Sequence, residues 1–175
     1  MSAAPPPATP VPIPSTEART AELLGIHQLA IWKRTDRLFA GLLIFEWIVG
    51  IAIALVLSPT TWEGARSAIH PHVWEAITLG ALIAVLPVVL ALQFPGRQLT
   101  RHVIAISQML SSALLIHLGG GRIEMHFHVF GSLAFIAFYR DWRVLISASA
   151  VIAADHFLRG LFVPQSVFGV LAPSN

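Results

Sequence analysis

Five apolar stretches, separated by short polar or glycine-containing segments, make up most of the sequence. Hydrophobic residues account for 55% of the chain and charged residues for 11%, whereas a soluble domain carries about 25% charged residues. A helix needs roughly 20 apolar residues to cross a bilayer core. We therefore predict an all-α fold, a polytopic transmembrane helical bundle with spans at about 38–57, 73–92, 101–118, 125–139 and 144–162.

The segment before the first span has two parts. Residues 1–20 are rich in proline and alanine, a composition that predicts a disordered tail. Residues 21–36 mix apolar and polar side chains and predict a cytoplasmic, juxtamembrane amphipathic helix. The transmembrane domain is then 37–175. Ser58 and Pro59 should end the first span, and the glycines at 119–121 should end the third.

The positive-inside rule gives the predicted orientation. Eight basic residues lie on the side of the N-terminus and three on the other: Arg19, Lys33, Arg34, Arg37, Arg97, Arg101, Arg140 and Arg143 against Arg66, Arg122 and Arg159. We therefore expect a multi-pass protein of the bacterial inner membrane with a cytoplasmic N-terminus. Five crossings leave the C-terminus outside, so coupling to a cytoplasmic module would need a sixth helix.

This topology brings most of the histidines toward the periplasmic face. The sequence has no cysteine, so any metal must be held by nitrogen and oxygen ligands, which suit copper, zinc or iron. The candidate metal ligands are His70, His72, His117, His126, His128, His156, Asp155 and Glu124. Haem b is the alternative cofactor, with His72, His117, His126, His128 and His156 as candidate binding residues, because two imidazoles on facing helices can ligate its iron.

The histidines include an internal repeat. His70-Pro-His72-Val-Trp opens the second span, and His126-Phe-His128-Val-Phe opens the fourth, which predicts two related helical hairpins. Residues two apart in a helix point about 200° apart. Both histidines of a pair would therefore face one centre only where the chain is extended or entering a helix, and we expect both pairs to lie there.

Two acidic residues also have purely structural interpretations. Asp155 and Arg159 are four residues apart, and this spacing favours a helical ion pair. Glu46 lies near the middle of the first span, where an unpaired carboxylate is expensive. It is equally consistent with a protonated group hydrogen-bonded to a neighbouring helix and with a functional role.

The motifs RHV (101–103), LGGGRIEMHFHVFGSLAF (118–135), FYRDWR (138–143) and AADHFLRG (153–160) resemble an N-terminal membrane region of bacterial multidomain signalling proteins. In that family the region precedes histidine kinase, chemotaxis-transducer or diguanylate cyclase modules. The resemblance runs from about residue 27 to residue 170. It implies a sensory input domain fused to a cytoplasmic signalling module, similar to multi-span sensors proposed to bind copper or haem and detect a diatomic gas or redox state.

The leading hypothesis is thus a membrane sensor, expected to be a homodimer in the lipid bilayer, that relays the state of a metal or haem centre to the cytoplasm. A membrane metalloenzyme is the alternative, with Glu75, Glu124 or Asp155 as acid or base. A metal transporter is less favoured, because it requires a continuous polar path across the bilayer. Glu46 and His102 are the only candidate residues for the inner half of such a path. The basic residues form no stripe that could follow nucleic acid.

Overall fold

The fold is known from a computed structural model that describes residues 15–63 and 66–169. The regular secondary structure of this part of the chain is helical except for one two-stranded antiparallel hairpin. Its elements are α1 (Thr16–Leu57), β1 (Thr60–Glu63), β2 (Arg66–Ile69), α2 (Pro71–Gln93), α3 (Gln98–Leu118), α4 (Ile123–Ile136) with a 3₁₀ turn (Ala137–Tyr139), α5 (Trp142–Phe162) and α6 (Gln165–Phe168). Of the predicted tail, residues 1–14 lie outside the described residues.

Helix α1 contains both the predicted juxtamembrane segment and the first predicted span, without a break between them. Ser15 starts it by accepting a hydrogen bond from the Ala18 N–H at 3.3 Å. No proline interrupts the helix before Ser58, where it stops as predicted. At about 1.5 Å per residue it is roughly 60 Å long, about twice a bilayer core. Residues 16–27 are all exposed.

Four helices, α1, α2, α3 and α5, are long and apolar enough to cross a membrane. This agrees with a membrane protein. The fourth predicted span corresponds to a shorter apolar segment, Ile123–Tyr139. Helix α3 packs against α1, α2, α4 and α5. In its most apolar stretch of 18 residues 61% is buried, whereas in the corresponding stretch of α5 11% is buried. The bundle is therefore organised around α3.

The helix ends meet at two faces of the bundle. The turn face contains the α2–α3 turn, the α4–α5 turn and Asp36 of α1, which contacts both Gly96 and Tyr139. The hairpin face contains the β-hairpin, the 119–121 connection and α6. Helix α3 ends before these glycines, as predicted. Gly121 has a φ of 72°, and a Cβ atom there would overlap the backbone nitrogen of Gly169, so this connection packs against the chain that follows α6.

Close packing of α1 on α2 depends on Gly80. The indole Nε1 of Trp47 donates to the carbonyls of Ala76 and Ile77, each at 3.2 Å, and a Cβ atom on Gly80 would overlap the indole ring. We expect Gly80→Ala to lower the free energy of unfolding in detergent by about 1–3 kcal/mol, the usual effect of overpacking. Gly41→Ala is the control, because a Cβ atom there meets nothing within 4 Å. Equal losses in both variants would contradict this packing.

Candidate metal centre

The candidate metal centre lies at the hairpin face, where α2 begins and α3 ends. Pro71 opens α2, a favourable first position because proline needs no hydrogen bond there. His70 caps the helix through Nδ1, which accepts a hydrogen bond from the His72 N–H at 3.1 Å. His72 and Glu75 are three residues apart, so they lie on the same face of the first turn. His117, in the last turn of α3, meets them from the other side.

These three residues form a compact group of potential ligands. His72, Glu75 and His117 each offer a ligand atom, and the three atoms lie within 4.8 Å of one another. Nε2 of His117 is 3.0 Å from Oε2 of Glu75, and the ring centroids of His72 and His117 are 5.0 Å apart. Nδ1 of His72 is buried and has no hydrogen-bond partner in the described structure. Leaving such a group unsatisfied costs about 1–3 kcal/mol, whereas a metal would use its lone pair.

A groove at the side of the bundle is lined by one member of this group, His117. It has a volume of about 390 Å³ and is lined largely by apolar residues of α2 and α3, together with His117, Asp155 and Arg159.

His126 and His156 form a separate pair on α4 and α5, with ring centroids 5.4 Å apart. Nδ1 of each lies 3.1 Å from a backbone carbonyl of its own helix, that of Arg122 or Ile152. The Asp155 carboxylate accepts hydrogen bonds from Nε and Nη2 of the Arg159 guanidinium, at 2.8 Å and 2.5 Å. The ion pair predicted for Asp155 is thus confirmed. This arrangement leaves Asp155 little capacity to act as a primary metal ligand.

His128 lies in a third environment, the interior of the bundle. Its Nε2 is 3.2 Å from Oε1 of Glu46, and its Nδ1 is 2.8 Å from the hydroxyl of Ser112. Gln108 donates to the same Glu46 oxygen at 2.5 Å and to Ser132 at 3.0 Å. Glu46 therefore has partners on two neighbouring helices, as its structural interpretation predicted. Both nitrogens of His128 have partners inside the bundle, and His128 does not belong to the three-residue group of potential ligands.

Helix geometry explains why the two His-x-His pairs differ. His70 is the extended N-cap of α2, and its ring lies 4.4 Å from that of His72, so this pair sits where the chain enters a helix. His126 and His128 lie inside α4, which begins at Ile123. Their side chains diverge, one toward His156 and the other toward Glu46. The expected placement at a helix entrance is correct for the first pair and wrong for the second.

The remaining predicted residue, Glu124, is exposed in the first turn of α4. The sequence interpretation also missed the buried polar network at the turn face. The Asp36 carboxylate accepts hydrogen bonds from the Gly96 N–H at 2.6 Å and the Tyr139 hydroxyl at 2.7 Å. Asp36, a charged residue just before a predicted span, was a signal for such a network. Its partners are 60 and 103 residues away in the sequence, so they could not be identified from it.

The sequence is similar to part of a known transducer protein. It is 27% identical over 153 residues to the transducer protein Htr8 of Halobacterium salinarum. The alignment covers 83% of this chain and 23% of that protein, so the chain spans about a quarter of the length of the relative it matches. No protein-family model matches the sequence, and no solved structure matches it. The match supports the chemotaxis-transducer part of the resemblance and does not test the histidine kinase and diguanylate cyclase parts.

Proposed function

We propose that this chain is a membrane-embedded sensory input domain in which His72, Glu75 and His117 hold a transition metal. The observation that carries the metal site is the buried, unpartnered Nδ1 of His72 beside the Glu75–His117 contact. The similarity to a transducer protein supports the signalling role. The wider set of predicted ligands, His126, His128, His156, Asp155 and Glu124, is not needed for this site.

Two imidazole nitrogens and a carboxylate oxygen suit zinc, copper or iron, and three protein ligands leave a coordination position open for a small molecule. We favour a metal ion over haem. The rings of His72 and His117 touch edge to face at 5.0 Å, and a porphyrin between two axial imidazoles would have to separate them.

A change at the metal could reach the far face through α3 and α5. His117 is on α3, whose Ala113 carbonyl accepts a hydrogen bond from Arg159 of α5 at 3.2 Å. Nearer the turn face, Nδ1 of His102 on α3 is 2.9 Å from the Ser147 hydroxyl on α5. A shift of α3 relative to α2 would therefore carry α5 with it. We propose that α5 passes this shift through a sixth helix to a cytoplasmic module that follows in the full-length protein.

The proposal includes the topology expected from the basic residues. The N-terminus is cytoplasmic in the bacterial inner membrane, Ile123–Tyr139 makes a fifth crossing, and two copies form a dimer. The alternative, a metalloenzyme, has less support. Among its expected acid–base residues, Asp155 is paired with Arg159, Glu124 is exposed, and Glu75 is a ligand in the proposed site.

Equilibrium dialysis of the purified protein against Zn²⁺ and Co²⁺ tests the metal site. We expect one ion per chain for the wild type, and loss of this binding in His72→Ala and His117→Ala, because two ligands cannot hold the ion tightly. The Co²⁺ absorption spectrum should indicate mixed nitrogen and oxygen ligands. His126→Ala and His156→Ala are matched controls, since they remove imidazoles outside the three-residue group.

Two results would overturn the assignment. Wild-type protein that releases all metal on dialysis would exclude a site at these residues. Loss of binding in His126→Ala and His156→Ala equal to that in His117→Ala would place the metal in the wider histidine set instead.

A further inference from the structure

A second groove lies at the turn face, between α1 and the 3₁₀ turn that follows α4. It has a volume of about 360 Å³, and the basic residues lining it are Arg34 and Arg140. They come from different elements, since Arg34 belongs to α1 and Arg140 follows the 3₁₀ turn. The groove thus brings together two cations that are 106 positions apart in the sequence (140 minus 34).

The carboxylates nearest to these arginines in the sequence already have partners. Asp36 accepts hydrogen bonds from Gly96 and Tyr139, and Asp141 pairs with Arg101 at 3.1 Å. Within the described residues, neither Arg34 nor Arg140 takes part in an ion pair. The groove therefore presents two positive charges to an anion.

The backbone at Arg140 is held in an unusual conformation. Its φ of 52° and ψ of 36° are left-handed, and it is the one non-glycine residue with positive φ in the described part of the chain. This conformation costs a residue with a Cβ atom roughly 1–2 kcal/mol, which glycine avoids. The preceding carbonyl, that of Tyr139, accepts hydrogen bonds from Gln28 and Trp32 of α1 at 3.2 Å and 3.1 Å. These bonds fix Arg140 beside α1.

Apart from Thr35, the rest of the groove is apolar, and it continues toward the lipid-facing surface. Leu38 is 44% exposed and Phe138 is 51% exposed, and each lies a few residues from an arginine on the side of the membrane span. The groove thus has apolar side chains on the bilayer side of its two cations. A phospholipid has the same order, with a charged phosphate followed by acyl chains.

We propose that this groove binds one anionic phospholipid, with the phosphate between Arg34 and Arg140 and an acyl chain along Leu38 and Phe138. Thr35 also lines the groove, but it is 6% exposed, so the two arginines are the groups that meet the phosphate. The apolar part distinguishes the ligand from free phosphate, which would use only the arginines. This site is independent of the proposed metal centre at the opposite face.

Native mass spectrometry of the intact protein, released from a neutral detergent with chelator present, tests the proposal. Phosphatidylglycerol and phosphatidylcholine are the lipid probes, and inorganic phosphate is the competitor. We expect one phosphatidylglycerol per chain, bound more tightly than phosphatidylcholine. Arg34→Gln and Arg140→Gly should each weaken it roughly 5-fold and together roughly 30-fold, since each arginine near a lipid surface contributes about 1 kcal/mol.

The choice of Arg140→Gly separates binding from folding. Glycine adopts the left-handed conformation freely, so the variant should unfold at the same temperature as the wild type or higher while binding lipid less well. Arg37→Gln is the matched control, because it removes an equal charge from the next turn of α1 outside the groove. An equal loss in Arg37→Gln would overturn the site in favour of diffuse attraction. Displacement of the lipid by millimolar inorganic phosphate would overturn the choice of phospholipid.

Discussion

Arg101→Ala is expected to lower the free energy of unfolding in detergent by about 3–5 kcal/mol, the range for removing one partner of a buried ion pair. Arg101 is 5% exposed, and its guanidinium binds the Asp141 carboxylate at 3.1 Å and lies 3.8 Å from the centroid of the Trp32 ring. It also donates to the Gly96 carbonyl at 3.4 Å. The variant leaves the Asp141 charge partly buried without its partner.

A double variant separates the stability lost with the Arg101–Asp141 ion pair from the stability lost with the packing of the Arg101 side chain. Asp141 also caps α5 by accepting a hydrogen bond from the Arg143 N–H at 3.1 Å, and asparagine can keep that bond without the charge. The double variant Arg101→Met with Asp141→Asn should therefore lose less free energy of unfolding than Arg101→Met and Asp141→Asn lose together as single variants. Arg97→Ala is the control, since Arg97 is exposed and lies over Phe94, and it should change the free energy by less than about 1 kcal/mol. Strict additivity in the double variant would show that the pair contributes nothing.

The helices were predictable because hydropathy and chain breakers are local properties. Ser58 and Pro59 stop α1, and the glycines at 119–121 stop α3. The continuity of α1 was harder to predict. The polar residues between 33 and 37 favoured a break at the membrane surface, yet no residue there prevents the helix from continuing. Some of those polar residues contact other elements, as Asp36 does with Tyr139.

The site was less predictable because it depends on how helices are rotated against one another. Sequence spacing placed the histidines at similar depth but gave no direction for each ring. The side of α4 that carries His128 faces Glu46, whereas His126 meets α5. Gln108 and Ser112 resembled ordinary polar residues in a span, and only the packing of α3 against α1 and α4 shows their role. The sequence therefore predicted the region in which most of the histidines lie, but not which side chains contact one another.

Metal binding should stabilise the fold, because His72 and Glu75 lie on α2 and His117 on α3, and the unfolded chain does not hold them together. At a free Zn²⁺ concentration about 100 times the dissociation constant, the free energy of unfolding should rise by about 2.7 kcal/mol. Thermal unfolding in detergent, with Zn²⁺ or with chelator, measures this difference. Lowering the pH from about 7.5 to about 5.5 should reduce the gain, because protons compete with the metal for imidazole nitrogens.

The same measurement on variants assigns the stabilisation to these residues. His117→Ala should show no gain with Zn²⁺, whereas His126→Ala should keep the full gain, because His126 contacts His156 and lies outside the three-residue group. A metal that joins α2 to α3 resists their separation, and this is the motion through which we propose that the sensor signals. A Zn²⁺-dependent gain that survives in His117→Ala would place the ion elsewhere and remove the basis for a signal that begins between these two helices.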